Sequence, residues 1–110
     1  MADWRAQEAI NQTIFREMNE WTQEASAREG LVRSMDTYIC ECGDAGCSDP
    51  IRLTRSEYED IRSEPTRFAL ALNHENPEID SLITENERFA TIEKSFGSAL
   101  RIARESDPRR

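Results

Sequence analysis

The sequence predicts an α+β fold: a long N-terminal helix, a β-hairpin shaped like a zinc knuckle, a short helix, then a small, mostly antiparallel sheet. Three observations predict it. Residues 3–29 hold neither Gly nor Pro and carry apolar side chains at helical spacing. All three cysteines fall between positions 40 and 47, with β-branched and aromatic residues on both sides. From residue 54 on, a helix-capping sequence is followed by short segments of alternating polarity.

In the first segment Ile10, Ile14, Met18, Trp21 and Ala25 recur at steps of four, four, three and four, which is one stripe of an α-helix, widened by Trp4 and Phe15. Asp3 is placed to cap its start and Gly30 to stop it. At 1.5 Å per residue the helix reaches ~39 Å, longer than a compact domain of this size is wide. We expect the stripe to pack on the sheet; a part that protrudes would instead contact a second copy or another protein.

Residues 31–36 make a short connection. Thr37-Tyr38-Ile39-Cys40-Glu41 reads as a strand, and Ile51-Arg52-Leu53 as its antiparallel partner, with Pro50 at a strand start where no ladder bond is lost. The cysteine loop is then the hairpin turn. Thr54 and Glu57 form a capping box for a helix over 56–63, which Pro65 ends through its effect on Glu64. Tyr58 and Ile61 share its inner face, Tyr58 being read as a core residue with its hydroxyl at the edge. Residues 67–72 put Phe68, Leu70 and Leu72 on one face of a strand. Residues 81–84 and 88–94 form a hairpin around Asn86-Glu87, with Leu82, Ile83, Phe89 and Ile92 as its apolar residues. Ala99, Leu100, Ile102 and Ala103 support a short helix over 98–104, and Asp107 to Arg110 a frayed end. The whole reads as one domain over 1–110: helix 1–30, metal-binding core 37–95, and a last helix with tail 96–110.

The chain has 110 residues with 37% hydrophobic and 33% charged, so its core must be small and a bound metal would aid folding. The net charge of −8 argues against a phosphate-backbone binder, and Glu41, Asp44 and Asp49 leave the cysteine loop without a basic residue. Clustered cysteines, no apolar run near 18 residues and no signal peptide lead us to expect a cytoplasmic protein and no membrane span. Thirteen of the fourteen basic residues are Arg, which points to a GC-rich genome rather than to a function.

Cys40, Cys42, Cys47 and the only histidine, His74, make four ligands of the kind and number that tetrahedral zinc takes. Cys40 and Cys42 are two apart and leave one face of a strand. Gly43 and Gly46 let the loop fold back and bring Cys47 round to them. His74, just past a strand end, is placed to reach the hairpin tip. Its free ring nitrogen calls for an acceptor, Glu75 or a backbone carbonyl. If His74 is not a ligand, Asp44, Asp49 or water takes the fourth position. Three thiols that serve only redox chemistry, or only the core, are the weaker readings.

From Cys40 onward the pattern Cys-x-Cys-x4-Cys, Ile51-x-Leu53-Thr54, Glu57-Tyr58, Arg62, Pro65, Arg67-Phe68 and His74 resembles a group of small uncharacterised actinobacterial proteins. Phe15-Arg16-Glu17 and Asn19-Glu20 extend the resemblance over about two-thirds of the chain. The residue before the histidine is glycine in that group and Asn73 here; asparagine tolerates left-handed angles too. The resemblance implies that the cysteines and His74 act as one unit and implies no reaction.

The leading expectation is therefore a small zinc-binding interaction or regulatory module with a structural Cys3His site. It would meet a protein partner or a second copy through Ile10, Ile14, Met18 and Trp21. The alternative is a redox-responsive thiol and zinc switch. Catalysis ranks below both: with His74 on the metal no histidine remains as a base, and no Pro-Cys-x-x-Cys, phosphate-binding or dinucleotide-binding motif occurs.

Overall fold

The computed structural model of the chain describes residues 4–29, 35–44, 46–78, 80–94 and 97–109. The order is α1 (Trp4–Glu29), β1 (Asp36–Ile39), β2 (Pro50–Leu53), α2 (Arg55–Arg62), β3 (Arg67–Leu70), β4 (Asp80–Glu85), β5 (Ala90–Lys94) and α3 (Gly97–Glu105). This is the α+β arrangement expected. The Asp3 cap, the Gly30 stop and the connection over 31–34 lie outside the described residues.

β1 and β2 pair antiparallel, with Tyr38 opposite Ile51, so the cysteine loop is the hairpin connection. The remaining strands form a second sheet in the order β3-β5-β4, all antiparallel. Glu41 joins the two sheets: its N–H donates to Ala69 O at 2.8 Å and its Oε1 accepts from Ala69 N–H at 2.9 Å. Ala71 N–H, two residues on, donates to Cys40 Sγ at 3.1 Å. The outer edge of β3 is thus capped by a carboxylate and a sulfur.

β3 divides the core. On one side Ala69 packs with Tyr38, Ile51, Leu53, Tyr58, Ile61 and Phe89; on the other Phe68 and Leu70 pack with Cys40, Cys42, Ile92 and Ala103. That is why Ala69 is as buried as Phe68 and Leu70, where simple alternation would expose it. The strand ends at Leu70, two residues earlier than expected, and Leu72 is only half-buried. Tyr38 and Tyr58 stack with ring centroids 4.7 Å apart, so both are core residues with their hydroxyls bonded at the rim. In the β4–β5 hairpin Phe89 and Ile92 are buried, whereas Leu82 and Ile83 stay largely exposed.

α2 has the expected capping box: Thr54 Oγ1 accepts from Glu57 N–H, and Glu57 accepts from Thr54 N–H. Arg88 then grips the Glu57 carboxylate with both NH groups, at 3.0 and 2.6 Å, and holds its pKa below the ordinary value.

Two expectations fail. The apolar stripe of α1 does not pack on the sheet: Ile10, Ile14, Met18 and Trp21 are 42%, 52%, 44% and 63% exposed. The face turned inward is polar, with Gln12, Arg16, Asn19, Gln23 and Ser26 all buried. Side-chain bonds hold the helix down from Glu8, bonded to Asn76, as far as Ser26, bonded to Asp36. Nor is the C-terminal segment frayed through Arg109. Asp107 is buried and pairs with Arg62, and Arg109 binds Glu20 and Glu59. Opposite charges brought together by the α1–α2 packing anchor a tail that its local composition leaves unconstrained.

Candidate metal centre

The hairpin brings the first two thiols together. Cys40 follows β1 directly, and its N–H donates to Asp49 O at 2.8 Å, which closes the neck of the loop. Cys40 and Cys42 face the core side lined by Phe68 and Leu70, and Glu41 between them faces the other way. The loop turns back at Asp44, whose Oδ1 accepts from Gly46 N–H at 2.8 Å and whose carbonyl accepts from Cys47 N–H at 3.0 Å. His74 arrives from the end of β3. Asn73 takes a φ of +66°, a left-handed turn that few residues other than Gly and Asn accept, and His74 N–H donates to Ala71 O at 3.2 Å.

The result is a cluster. One ligand atom from each of Cys40, Cys42, Cys47 and His74 lies within 4.8 Å of the other three. Nδ1 of His74 is 3.4 Å from Cys40 Sγ and 3.6 Å from Cys47 Sγ. A tetrahedral ion with bonds of ~2.3 Å to sulfur and ~2.0 Å to nitrogen requires sulfur–nitrogen edges of ~3.5 Å and sulfur–sulfur edges of ~3.8 Å. The imidazole edges to Cys40 and Cys47 already have that length, and no pair is wider than 4.8 Å. The four predicted residues lie together in an arrangement compatible with a metal ion.

The surroundings treat the three sulfurs differently. Ala71 N–H donates to Cys40 Sγ, and the amides of Cys42, Asp44 and Asp49 act on the sulfurs of Cys40, Cys42 and Cys47 in turn. Such dipoles stabilise negative charge on sulfur. The thiol of Cys42 is drawn down to about 5, first by the proton that Cys40 donates to it. Cys40 is pushed up for the complementary reason and by burial, and Cys47 is pushed up by burial. Without a cation the three sulfurs must share protons; a cation removes that conflict.

His74 is oriented from behind. Its Nε2 lies 3.3 Å from Asp49 Oδ2, so Nδ1 is the nitrogen left for the metal. Asp49 therefore backs the histidine, where the sequence suggested Glu75. Glu75 Oε2 is buried and meets no donor among the described residues. Asp49 sits beside the ring because it faces Cys40 across the neck of the hairpin. Asp44 is spent on the loop turn.

Sequence reasoning missed the groups that fasten the centre to α1. Glu41 is fully buried; Asn19 Nδ2 donates to its Oε2 at 2.8 Å and to Ile39 O at 2.8 Å, while Asn19 Oδ1 accepts from Ile39 N–H at 2.9 Å. Burial pushes the Glu41 carboxyl up, opposed by these bonds and by Arg62 and Arg16. Arg16 lies over the Phe68 ring at 4.6 Å and donates to Pro65 O at 2.6 Å and Ala103 O at 2.9 Å; burial lowers its pKa to about 10. Asn11 Nδ2 donates to Gly43 O at 2.9 Å. A Cβ at Gly43 would stand 2.6 Å from Glu8 Cβ, so α1 lies directly on the loop. A signal was present: Gln12, Arg16, Asn19, Gln23 and Ser26 recur at steps of four, three, four and three, as regular as the apolar stripe.

Compared with models of protein families, with curated proteins and with solved structures, the chain matches none. Among the described residues no helix is long and apolar enough to cross a membrane.

Proposed function

We propose that the protein is a metal-stapled interaction module. Cys40, Cys42, Cys47 and His74 hold one zinc ion as a structural site, and α1 offers its exposed stripe to a protein partner. The observation that carries this reading is the convergence of three sulfurs and one imidazole on a single point. Sulfur and imidazole donors suit zinc, and four protein ligands leave no coordination position for a substrate. The role of such an ion is to fasten the hairpin, the end of β3 and, through Glu41 and Gly43, the long helix. A reducing compartment such as the cytoplasm suits these thiols. Kinship with the small actinobacterial group remains part of this proposal, resting on the motif alone.

Native mass spectrometry of protein purified without added metal tests the reading. We expect one zinc per chain, and loss of cooperative unfolding once a strong chelator removes it. A cooperatively folded, metal-free chain indifferent to chelator overturns it.

One observation favours a second reading, the redox switch. Cys40 and Cys42 are sealed, at 0% and 4% exposure, but Cys47 is only half-buried, so an oxidant meets one sulfur first. Peroxide would convert the Cys47 thiolate to a sulfenic acid with loss of hydroxide. A neighbouring thiol would then displace water to form a disulfide, and the ion would leave. Zinc that stays bound under mild peroxide, followed with a zinc indicator, excludes this reading.

A further inference from the structure

The interaction surface can be specified further, on the basis of the interaction-module reading. Trp21, Ile14, Met18 and Ile10 occupy one face of α1, and none of them is covered. From Ile10 to Trp21 the stripe runs ~17 Å, three turns of helix. Along one side of it a groove opens between α1 and β1, with a cavity of about 330 Å³ bordered by Met18, Trp21, Thr22, Ala25 and Ile39. Along the other side stand Glu17 and Glu24, seven residues apart, exposed and without an ion pair among the described residues. The third acid on this side, Glu20, is already held by Arg62 and Arg109.

We propose that this face binds a basic amphipathic helix of another protein: an apolar stripe of about three turns, one bulky apolar residue for the groove, and Lys or Arg along the edge that meets Glu17 and Glu24. Three features select this occupant. The surface is a straight helix ridge beside a groove, which a second helix fits with apolar residues every three or four positions. An added strand is disfavoured, because the outer edge of β1 is closed at Ile39, where Asn19 takes both the N–H and the carbonyl. A second copy of this chain is disfavoured by charge. In an antiparallel pairing each edge meets its own counterpart, setting Glu17 and Glu24 against the same two acids, and it joins two chains that each carry −8. A basic helix relieves both conflicts, and carboxylates beside an apolar seam select against acidic partners.

The test uses the full zinc-loaded chain carrying Trp4→Phe, so that Trp21 alone reports by fluorescence. The probe is an 18-residue helical peptide with leucines at steps of four, four and three, one phenylalanine and lysines elsewhere. Its control replaces the lysines with glutamates. We expect the basic peptide to bind and the acidic one to bind at least about tenfold more weakly, with the preference shrinking as salt rises. Glu17→Lys with Glu24→Lys should invert the preference, and Trp21→Ala should abolish binding in calorimetry. Equal binding of both peptides, or binding of neither, overturns the proposal. So does a concentration-dependent dimer in sedimentation that Met18→Glu dissolves. Zinc content and thermal unfolding are measured on the same samples. Failure of the metal reading shows as absent zinc, whereas failure of this inference shows as a zinc-loaded, folded chain that ignores the basic helix.

Discussion

The two faces of α1 differ in a way that hydropathy alone would assign backwards. Gln12, Arg16, Asn19, Gln23 and Ser26 lie inside, while Ile10, Ile14, Met18 and Trp21 lie outside. The reason is what the helix covers. Beneath it are main-chain groups: the N–H and carbonyl of Ile39, and the carbonyls of Gly43, Arg55, Pro65 and Ala103. An apolar face laid over them would leave each one dry and unpaired, at about 1–3 kcal/mol apiece. A polar face supplies a donor or an acceptor to every one. In this chain the hydrogen-bonding demand of the covered surface decided which way the helix turned, and the apolar face lies outside.

The comparison breaks most completely at the metal centre, which the inner face holds down. On the proposed Cys3His site, Cys42→Ser removes one of four ligands and leaves the other groups competing for protons. We expect loss of bound zinc and of cooperative thermal unfolding, because the binding free energy of a structural ion is also folding free energy. Circular dichroism with a zinc indicator checks both. Acid should act in the same direction, since protons compete with the ion for thiolate and imidazole. Zinc release on lowering the pH should precede or accompany unfolding.

The next largest effect belongs to the inner face itself. Asn19→Leu is nearly isosteric and makes the helix more apolar, so hydropathy would rate it an improvement. It strips both main-chain groups of Ile39 and one oxygen of the buried Glu41 carboxylate of their partner. We expect a loss of about 3–5 kcal/mol in denaturant unfolding, as three buried groups lose a partner at about 1–3 kcal/mol each. A stability within about 1 kcal/mol of the parent would mean that water or a rearranged loop can serve these groups, and that the face is not selected by hydrogen bonding.

Much of this was readable in the chain. The hairpin, the capping box at Thr54 and Glu57, and the grouping of Cys40, Cys42 and Cys47 come from local rules of alternation and turn chemistry, and His74 was added to them by donor type and number alone. The left-handed turn at Asn73 was suggested only by the glycine at that place in the group the chain resembles, asparagine tolerating the same angles. What could not be read depends on contacts between distant segments. Nothing near Asp107 or Arg109 reveals that Arg62, Glu20 and Glu59 wait to bind them. Alternation along β3 exposes Ala69 unless a second core lies on that side. The orientation of α1 was obscured for a sharper reason: the helix carries two stripes of equal regularity, and the rule that places the apolar one inside presumes an apolar surface to receive it.

A smaller effect is expected where α1 meets the loop. Gly43→Ala sets a Cβ at 2.6 Å from Glu8 Cβ. The helix or the loop must shift, which should cost about 1–3 kcal/mol and weaken zinc retention against a competing chelator. Truncating the neighbour with Glu8→Ala should give no relief, since the colliding atom is the Cβ that alanine keeps. Rescue by that second change would place the clash further out along the side chain and mean that α1 does not rest directly on the loop.

The smallest effect is the most informative about the outer face. Ile14→Gln puts a polar side chain at the middle of the stripe, where the residue is 52% exposed. If this face takes no part in holding the fold, the midpoint of unfolding should move by the equivalent of no more than about 0.5 kcal/mol, in either direction. Paired with Asn19→Leu, it asks for opposite substitutions on opposite sides of one helix: apolar placed inside, costly, and polar placed outside, nearly free. A clear loss at Ile14 would show that the stripe is already covered in solution. The surface offered to a partner would then be an interface formed before any partner arrives, and sedimentation of the same variant would show whether the cover is a second chain.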